Sequence, residues 1–422
     1  MASRGSGAAL AEWRHYWTLP VAAMIGYSTI GLQSYGIGAF VAPLEAEFGW
    51  TRAQVMIGLS LSNLVGVFLN ILVGMMVDRF GPRRVGLTGL FVKTGAFALL
   101  GTATGTMLNW SLLWVVLAVG VVLVQSTVWT SAVATRFDHS RGFAMAVALS
   151  GSPITAAVAP VLATWLTAHY GWRIAFAGVA ATWLVATLPV VLLFFRGARD
   201  GGGGRVASES APPPPPAEVP GLTLAEGLRT PAFLWLLAAF GAFAFYNMAI
   251  AANLVPLLAE TGVDAMEAAG IASIMGLVGI AARLGVGLLL DRFPGNLIGA
   301  VSQILPVLGC AIFLMDAPGP LLLSLAVACF GIATGAEIDV ALYLATRHFG
   351  LKAFAALFGA IITFGAVAAA IGPYVAGWLH DIAGSYDLLL IMIMVVMTIG
   401  SLSMAAIGRK PGPYATPGHS QS

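Results

Sequence analysis

Charged side chains are scarce in this sequence, and their scarcity excludes most classes of soluble protein. Lys, Arg, Asp and Glu make up 9% of the 422 residues, whereas hydrophobic residues make up 59%. Soluble globular domains carry about 25% charged residues. So few charges cannot cover a water-facing surface, which excludes a soluble multidomain enzyme and, except locally, a disordered chain. We therefore expect lipid to surround most of the molecule.

Cysteine, clustered histidine and an excess of positive charge are also lacking. The two cysteines, Cys310 and Cys329, stand in apolar runs without metal-ligand spacing, and the net charge is only +2. A disulfide framework, a metal site and a nucleic-acid interface are therefore not expected. The sequence has no HExxH or Walker motif, no filter-like loop, and no His, Cys or paired-carboxylate cluster within an apolar run. We expect neither an enzyme nor a channel, and no cofactor.

Long charge-free stretches are what the sequence has in abundance. A bilayer core requires about 20 apolar residues per helix. Stretches of that length predict an all-α membrane protein with twelve transmembrane helices, called spans 1 to 12 below, rather than a β-barrel with strands of about ten residues. The first stretch is too long for a signal-peptide core, so we expect it to be retained. The predicted spans are 18–42, 53–77, 85–105, 110–135, 142–168, 173–195, 231–258, 268–290, 297–315, 320–346, 353–379 and 386–407.

The distribution of Lys and Arg predicts the orientation of these spans. If the N-terminus is cytoplasmic, sixteen Lys and Arg residues lie on the inner side and only Arg52 and Arg173 on the outer side, with Lys93 and Arg283 inside spans. Cytoplasmic loops of membrane proteins carry the excess of Lys and Arg. We therefore expect both termini in the cytoplasm and a multi-pass protein of the cell (inner) membrane.

The chain divides into two halves that share a pattern. The only long polar segment, 197–230, contains Gly201–Gly204 and Pro212–Pro216 and predicts a cytoplasmic linker between bundles at 1–196 and 231–408, with a tail at 409–422. An offset of 213 residues aligns the halves. Six spans per half predict parallel repeats with a solute site between them near the midplane. The aligned pairs are Pro43 with Pro256, Gly74 with Gly287, Asp78-Arg79 with Asp291-Arg292, Pro160 with Pro373, Trp165 with Trp378 and Gly171 with Gly384.

The loop between spans 2 and 3 carries a recognisable motif. Residues 74–84 read Gly-Met-Met-Val-Asp-Arg-Phe-Gly-Pro-Arg-Arg, and 287–293 repeat part of it. The motif resembles the signature of the major facilitator superfamily, apart from a proline at 82 where a basic residue is usual. The resemblance implies two six-helix bundles, alternating access and a cytoplasmic latch that favours one closed state. Alternatively, these residues only cap a tight turn. The latch candidates are Gly74, Asp78, Arg79, Arg83, Asp291 and Arg292.

A narrower resemblance concerns the monocarboxylate transporter and oxalate/formate antiporter group. It rests on Phe40–Gln54, Arg141–Met145 and Gly335–Gly350, which look like bacterial members of that group. The resemblance implies a monomeric carrier of a small organic anion, such as a monocarboxylate, together with a proton. An exporter or antiporter of a drug or other metabolite is the alternative. Span 5 matches the antiporter motif poorly at Ala159–Thr164, which favours uptake.

Arg283 in span 8 is the main candidate for binding the solute. It lies about 12 Å inward from the cytoplasmic end of its span at 1.5 Å per residue. A charge at that depth costs about 3 kcal/mol unless it has a partner or a cavity. In the monocarboxylate group the arginine of this helix binds the substrate carboxylate. Alternatively, Arg283 extends to the cytoplasmic surface or pairs with Glu337.

Two departures from the group bear on the solute and on the proton. Some monocarboxylate carriers have an aspartate one turn before the arginine, where this chain has Gly279, and the oxalate carrier has a lysine in span 11, which here contains no Lys or Arg. One cation suits one carboxylate, so a dicarboxylate is disfavoured. The missing aspartate leaves the site of proton coupling to another residue.

Three further ionisable residues lie within spans. Glu337 and Asp339 in span 10 are two residues apart, so they point to different faces of the helix. Either could carry the coupling proton, or the pair could lock the cytoplasmic ends against Arg136, Arg141 or Arg347. Lys93 in span 3 is expected to extend its long side chain to the membrane surface, and a peripheral role in the pocket is the alternative.

Uncharged polar residues complete the candidate site. Asn70 is the repeat counterpart of Arg283, which makes it the leading one. Polar groups in lipid need partners, so each of these residues could equally form an interhelical hydrogen bond. The others are Tyr35, Gln125, Trp129, Tyr246 and Asn247, with Tyr27, Gln33, Asn63, Thr130, Ser150, Ser152, Asn253 and Tyr343 as further polar groups in the same spans.

Overall fold

The fold is a bundle of membrane-spanning helices. The computed structural model describes residues 10–137, 139–197, 221–290, 292–350 and 352–408. In this part of the chain, ten helices are long and apolar enough to cross a membrane. We call the end that carries the loop between spans 2 and 3 the inner end, which is the predicted cytoplasmic end, and the opposite end the outer end.

The helices follow the predicted spans closely. A long apolar run forms a helix in lipid because every backbone group then bonds within the segment. The helices after the first span are Arg52–Phe80, Pro82–Leu99, Met107–Leu123 with Ser126–Ala134, Arg141–Leu149, Gly151–Phe194, Pro231–Glu260, Ala265–Leu290, Gly295–Phe313, Pro320–Phe349, Phe354–Ala383 and Asp387–Ala406.

Two departures from regular helix explain why ten helices correspond to twelve predicted spans. The helix Gly151–Phe194 is bent at Gly171, whose φ of 77° and ψ of 158° divide it into spans 5 and 6. The first span is a succession of α and 3₁₀ segments from Thr18 to Phe48. With the bent helix counted twice and the interrupted segment once, the described chain has the twelve spans that the sequence predicts.

Short-range signals define where the helices begin and end. Thr51 caps span 2 by accepting from the Gln54 backbone while the Gln54 side chain bonds back, and Pro231 occupies the first turn of span 7. These are the residue types that satisfy or remove the free N–H groups of a first turn. At the outer ends of spans 1 and 11, Gly49 and Gly384 adopt left-handed conformations with φ of 66° and 72°.

The predicted linker at 197–230 contains a short helix in its second part. Helix Leu224–Leu228 begins at Thr223, which forms a capping box with Glu226, and Gly227 packs closely on the Leu357 side chain of span 11. The linker prediction did not include this helix, which the capping signal at Thr223 and Glu226 indicates despite the polar composition. Residues 198–220 and the tail at 409–422 lie outside the described residues.

Glycine allows the two halves to approach each other closely. A Cβ on Gly276 of span 8 would stand 2.2 Å from the Ala157 nitrogen of span 5, and a Cβ on Gly377 of span 11 would stand 2.7 Å from the Ala53 nitrogen of span 2. Small residues bring helix backbones together where lipid supplies no hydrophobic driving force between helices. Spans 5 and 8, and spans 2 and 11, therefore join the halves on either side of the centre.

Candidate functional site

Three spans of the N-terminal half are interrupted within the membrane. Span 1 has a 3₁₀ segment at Ser28–Gly31, span 4 changes helix between Leu123 and Ser126, and span 5 changes helix at Ser150. Each interruption lies about 15 Å from the inner end of its span at 1.5 Å per residue, close to the depth of Arg283. Interrupted helices expose backbone groups where they border a site. The candidate site is therefore framed by broken helices.

Lys93 holds the interruption of span 1. Its side chain is fully buried, and Nζ donates to the Ile30 carbonyl at 2.9 Å and to Gln33 Oε1 at 2.6 Å. Thr155 of span 5 donates to the neighbouring freed carbonyl of Ser28. The expectation that Lys93 extends to the surface is wrong, because the broken helix offers the ammonium acceptors inside the protein.

Arg283 lies between the halves and is nearly buried, with 8% of its surface exposed. Its Nε donates to Asp339 Oδ2 at 3.2 Å, and Nη1 donates to the Leu149 carbonyl of the opposite half at 3.0 Å. We find no bond from Nη2 to any described residue. The two alternatives, extension to the surface and pairing with Glu337, are both wrong.

The pairing of Arg283 with Asp339 follows from a close crossing of spans 8 and 10. A Cβ on Gly335 would stand 2.3 Å from the Gly279 carbonyl oxygen, so the two backbones touch there. Both spans run towards the inner end, and Asp339 and Arg283 each follow one turn after the touching glycines. The carboxylate absent at position 279 in span 8 is therefore supplied by the neighbouring helix.

Glu337 faces a different part of the protein. It is fully buried and accepts from Gln303 Nε2 of span 9 at 2.7 Å, while its other oxygen has no partner among the described residues. Gln303 also donates to the Ala239 carbonyl of span 7 at 3.1 Å. The predicted ion pairs of Glu337 or Asp339 with Arg136, Arg141 or Arg347 are not formed between described residues in this conformation, where Asp339 pairs with Arg283 instead.

The uncharged candidates fall into two groups, and the first consists of Tyr35, Gln125 and Asn70. Tyr35 is buried in span 1, and Gln125 lies at the interruption of span 4. Asn70 is exposed and has no hydrogen bond to a described residue.

The second group consists of side chains that connect helices or backbone segments. Tyr246 donates to the Phe330 carbonyl at 3.1 Å, and Asn247 donates to Thr334 Oγ1 at 2.8 Å. Trp129 donates to the Val124 carbonyl at 3.0 Å, at the interruption of span 4. These contacts correspond to the alternative reading of each residue, an internal hydrogen bond.

The latch candidates are separate from one another in this conformation. Arg83 donates from Nη2 to the Leu192 carbonyl at the end of span 6 at 2.7 Å. Asp78 and Arg79 are exposed, and Arg79 lies over the ring of its neighbour Phe80. Gly74 has open space around it and Arg292 is exposed. Asp291 lies outside the described residues. No ion pair joins the described latch residues to another span.

The outer end is closed by a polar cluster that sequence reasoning missed. Arg52 forms an ion pair with Glu260 across the halves at 2.6 Å, and the backbone N–H groups of Arg52 and Ala53 donate to the Asp381 carboxylate at 3.0 Å each. The sequence signal for this cluster was Arg52, a charged residue at the first helical position of span 2. Among the described residues, every hydrogen bond or ion pair between the halves lies level with Arg283 or outward of it.

Comparisons with known proteins agree with this architecture. A sequence model of the Major Facilitator Superfamily matches residues 23–373. Monocarboxylate transporter 13 of Bos taurus is 24% identical over 388 residues, which cover 88% of this chain and 83% of the relative. Of the solved structures, a D-xylose–proton symporter superposes with a TM-score of 0.72 at 14% identity, covering 94% of this chain and 98% of that one. A bacterial homologue of the human lysosomal transporter Spinster, inward-facing and occupied, gives 0.64 at 17%, covering 94% of each chain.

Proposed function

The chain belongs to the Major Facilitator Superfamily and is a membrane transporter, and on that premise we propose that it carries a small organic anion with one carboxylate together with a proton. The proposal rests on the position of Arg283. This side chain is nearly buried between the halves, and its Nη2 makes no hydrogen bond to a described residue. A guanidinium stays charged in a protein and matches the planar carboxylate group.

The chemistry around Arg283 favours a solute with a single negative charge. Asp339 is the acid paired with it, and its side chain is 31% exposed. The only other ion pairs between described residues lie at the outer end, on Arg52, Arg173 and His380. One guanidinium that already has one carboxylate partner can exchange that partner for a solute carboxylate, whereas a second solute charge would remain unpaired.

The exchange of partners also offers a place for the proton. Protonation of Asp339 removes its charge and releases Arg283, which can then bind the solute anion. Loss of the solute on the far side restores the ion pair when the proton leaves. Because the proton and a monovalent anion cancel in charge, their joint movement across the membrane is electroneutral. Glu337, buried without a cation, is the second candidate for the proton.

The relatives are consistent with this assignment. The Bos taurus relative is named a monocarboxylate transporter, and its alignment covers 88% of this chain. The structural neighbour is a symporter of D-xylose and a proton. The proposed orientation, with both termini in the cytoplasm, rests on the distribution of Lys and Arg, and the proposed uptake rests on the poor match of span 5 to the antiporter motif.

The first test is uptake by purified protein in proteoliposomes. We expect radiolabelled short-chain, hydroxy or aromatic monocarboxylates to accumulate when the outside is acidic. Arg283→Ala is expected to reduce the initial rate at least about 100-fold, because an anion desolvated without its cation loses several kcal/mol. Arg229→Ala, which removes an exposed arginine of the inner loop, is the matched control. Uptake by Arg283→Ala at the wild-type rate would remove the carboxylate site from the proposal.

A further inference from the structure

Spans 5 and 8 form a seam between the two halves that ends at Arg283. The helices run in opposite directions, and their contacts follow a regular register. Gly276 packs against Ala157 and the Pro153 carbonyl, and Gly279 packs against the Pro153 ring at 3.8 Å from its Cβ position. One turn further inward, Arg283 bonds the Leu149 carbonyl at 3.0 Å. This last contact is the innermost polar link between the halves among the described residues.

The Leu149 carbonyl is available to Arg283 because of Pro153. In a continuous α-helix the carbonyl of residue 149 accepts from the N–H of residue 153. Proline has no N–H, so Leu149 loses this partner, and the helix ends there and restarts at Gly151. In lipid an unpaired carbonyl requires a donor from elsewhere. The donor it finds is the guanidinium of the opposite half.

The second half of the chain provides an internal control for this effect. At the repeat offset of 213 residues, the position that matches Pro153 is Ala366 in span 11. Span 11 runs without interruption from Phe354 to Ala383, although it contains Pro373 about two turns further outward. The interruption of span 5 therefore accompanies the proline at 153, and in the counterpart helix the carbonyl at the position of Leu149, that of Ile362, keeps the N–H of Ala366 as its partner.

We propose that Pro153 is a positioning residue for solute binding, which acts by releasing the Leu149 carbonyl to hold Arg283. The inference rests on the proposed role of Arg283 in binding the anion. With Nε on Asp339 and Nη1 on Leu149, the guanidinium is fixed in one orientation with Nη2 towards the solute, and the bond to Leu149 remains when the solute replaces Asp339. The same bond ties the solute-binding group of one half to the backbone of the other, so binding and the contact between halves share one side chain.

The central experiment is the substitution Pro153→Ala. Alanine restores the N–H at 153, which is expected to bond Leu149 within span 5 and to displace Arg283. We expect the KM for monocarboxylate uptake to rise about tenfold, the effect of losing one charge-assisted hydrogen bond, with a smaller change in kcat. Pro189→Ala, an exposed proline of span 6 in the same half, is the matched control and should keep the wild-type KM. An unchanged KM in Pro153→Ala would overturn the proposal.

A backbone substitution distinguishes the effect of gaining an N–H group at position 153 from the effect of losing the proline ring. Lactic acid, the hydroxy-acid counterpart of alanine, introduced at position 153 by nonsense suppression, lacks both the ring and the N–H. We expect this ester variant to retain the wild-type KM. If the ester variant and Pro153→Ala show the same raised KM, the ring and not the released carbonyl is responsible, and the proposal fails.

A distance measurement keeps this inference separate from the proposed function. Gly142 of span 5 and Gly287 of span 8 lie near the inner end, and a Cβ at either meets nothing within 4 Å. Spin labels at both positions, with Cys310 and Cys329 replaced by alanine, report the separation of the halves without any solute. We expect Pro153→Ala and Arg283→Ala to alter the distance distribution in the same way. If Arg283→Ala retains uptake while both variants alter the distribution, the carboxylate site at Arg283 is wrong and the link between the halves stands. A distribution identical to wild type in Pro153→Ala contradicts the link itself.

Discussion

Arg283 has partners on both sides of the interface between the halves. Asp339 comes from its own half and the Leu149 carbonyl from the other. A buried ion pair contributes little net stability, because desolvation of the two charges offsets their attraction. The retention of this pair within the membrane therefore fits a role in function better than a role in folding.

Asp339 and Glu337 are distinguished at the residue scale by their partners. Asp339→Asn keeps the shape of the side chain but removes its charge and its ability to exchange a proton. We expect this variant to lose at least about 90% of accumulation driven by a pH gradient, while exchange of internal for external solute persists. Both rates can be measured in the same proteoliposomes with and without an imposed gradient.

Glu337→Gln is the matched control for that experiment. Its carboxyl group bonds Gln303 inside the second half and has no cation nearby, so an amide is expected to replace it with less effect on accumulation. If Glu337→Gln abolishes gradient-driven accumulation and Asp339→Asn does not, the proton belongs to the buried acid and the partner exchange at Arg283 is wrong.

At the scale of whole helices, the two halves differ in continuity. Spans 1, 4 and 5 are interrupted near the site, whereas their repeat counterparts, spans 7, 10 and 11, run unbroken as Pro231–Glu260, Pro320–Phe349 and Phe354–Ala383. The first half therefore contributes backbone groups to the site, and the second contributes the ion pair of Arg283 and Asp339. Lys93 and Thr155 satisfy the carbonyls that the break in span 1 releases.

The crossing of spans 5 and 8 depends on one small residue. Because a Cβ on Gly276 would stand 2.3 Å from the Pro153 carbonyl oxygen, Gly276→Val must push the helices apart. Overpacking of this kind costs about 1–3 kcal/mol and separates Arg283 from Leu149. We expect a lower Tm in detergent and less than about a tenth of wild-type uptake.

A glycine in the same helix provides the comparison. Gly270 is exposed, and a Cβ there meets nothing within 4 Å, so Gly270→Val changes the same residue type at an open position. Wild-type uptake is expected from Gly270→Val. Equal behaviour of the two valine variants would indicate that the seam between spans 5 and 8 is not required.

Considered as a whole, the molecule is held together at its outer end. Asp381 of the second half accepts from the first N–H groups of span 2, where the helix dipole favours a negative charge. Arg52 adds an ion pair with Glu260, which also contacts His380 at 2.7 Å. At the inner end, the described latch residues make no polar contact with the opposite half. This pattern corresponds to a conformation closed on the outside.

Asp381→Ala is expected to shift this equilibrium towards opening on the outside. Loss of two bonds to a charged acceptor is worth about 3 kcal/mol, enough to change the populations of two states about 100-fold. The measurement is the rate at which a maleimide applied from outside labels a cysteine placed at Val255, which lines the outer cavity between the halves. Asp387→Ala removes another outer carboxylate and should leave the rate unchanged. Slower or equal labelling in Asp381→Ala would contradict an outer closure.

Much of the architecture could be read from local features of the chain. The lengths of the apolar runs predict all twelve spans within a few residues, because in lipid a helix must satisfy its own backbone. The depth of Arg283 within span 8 follows from counting residues. The interruptions in spans 1 and 4 were not predicted, since no proline marks them and their freed carbonyls are satisfied by side chains far away in sequence.

The sequence by itself determined that the chain is a twelve-span transporter with one arginine at the level of the candidate site. The tertiary structure decided what that arginine touches. Gly279 and Gly335 are 56 residues apart in the chain, yet their contact brings Asp339, and not Glu337, to the guanidinium. Composition and periodicity record how deep a residue lies and which face of its helix it occupies. The partner of a buried charge depends on how closely two helices cross, and that distance is set by small residues acting together across the fold.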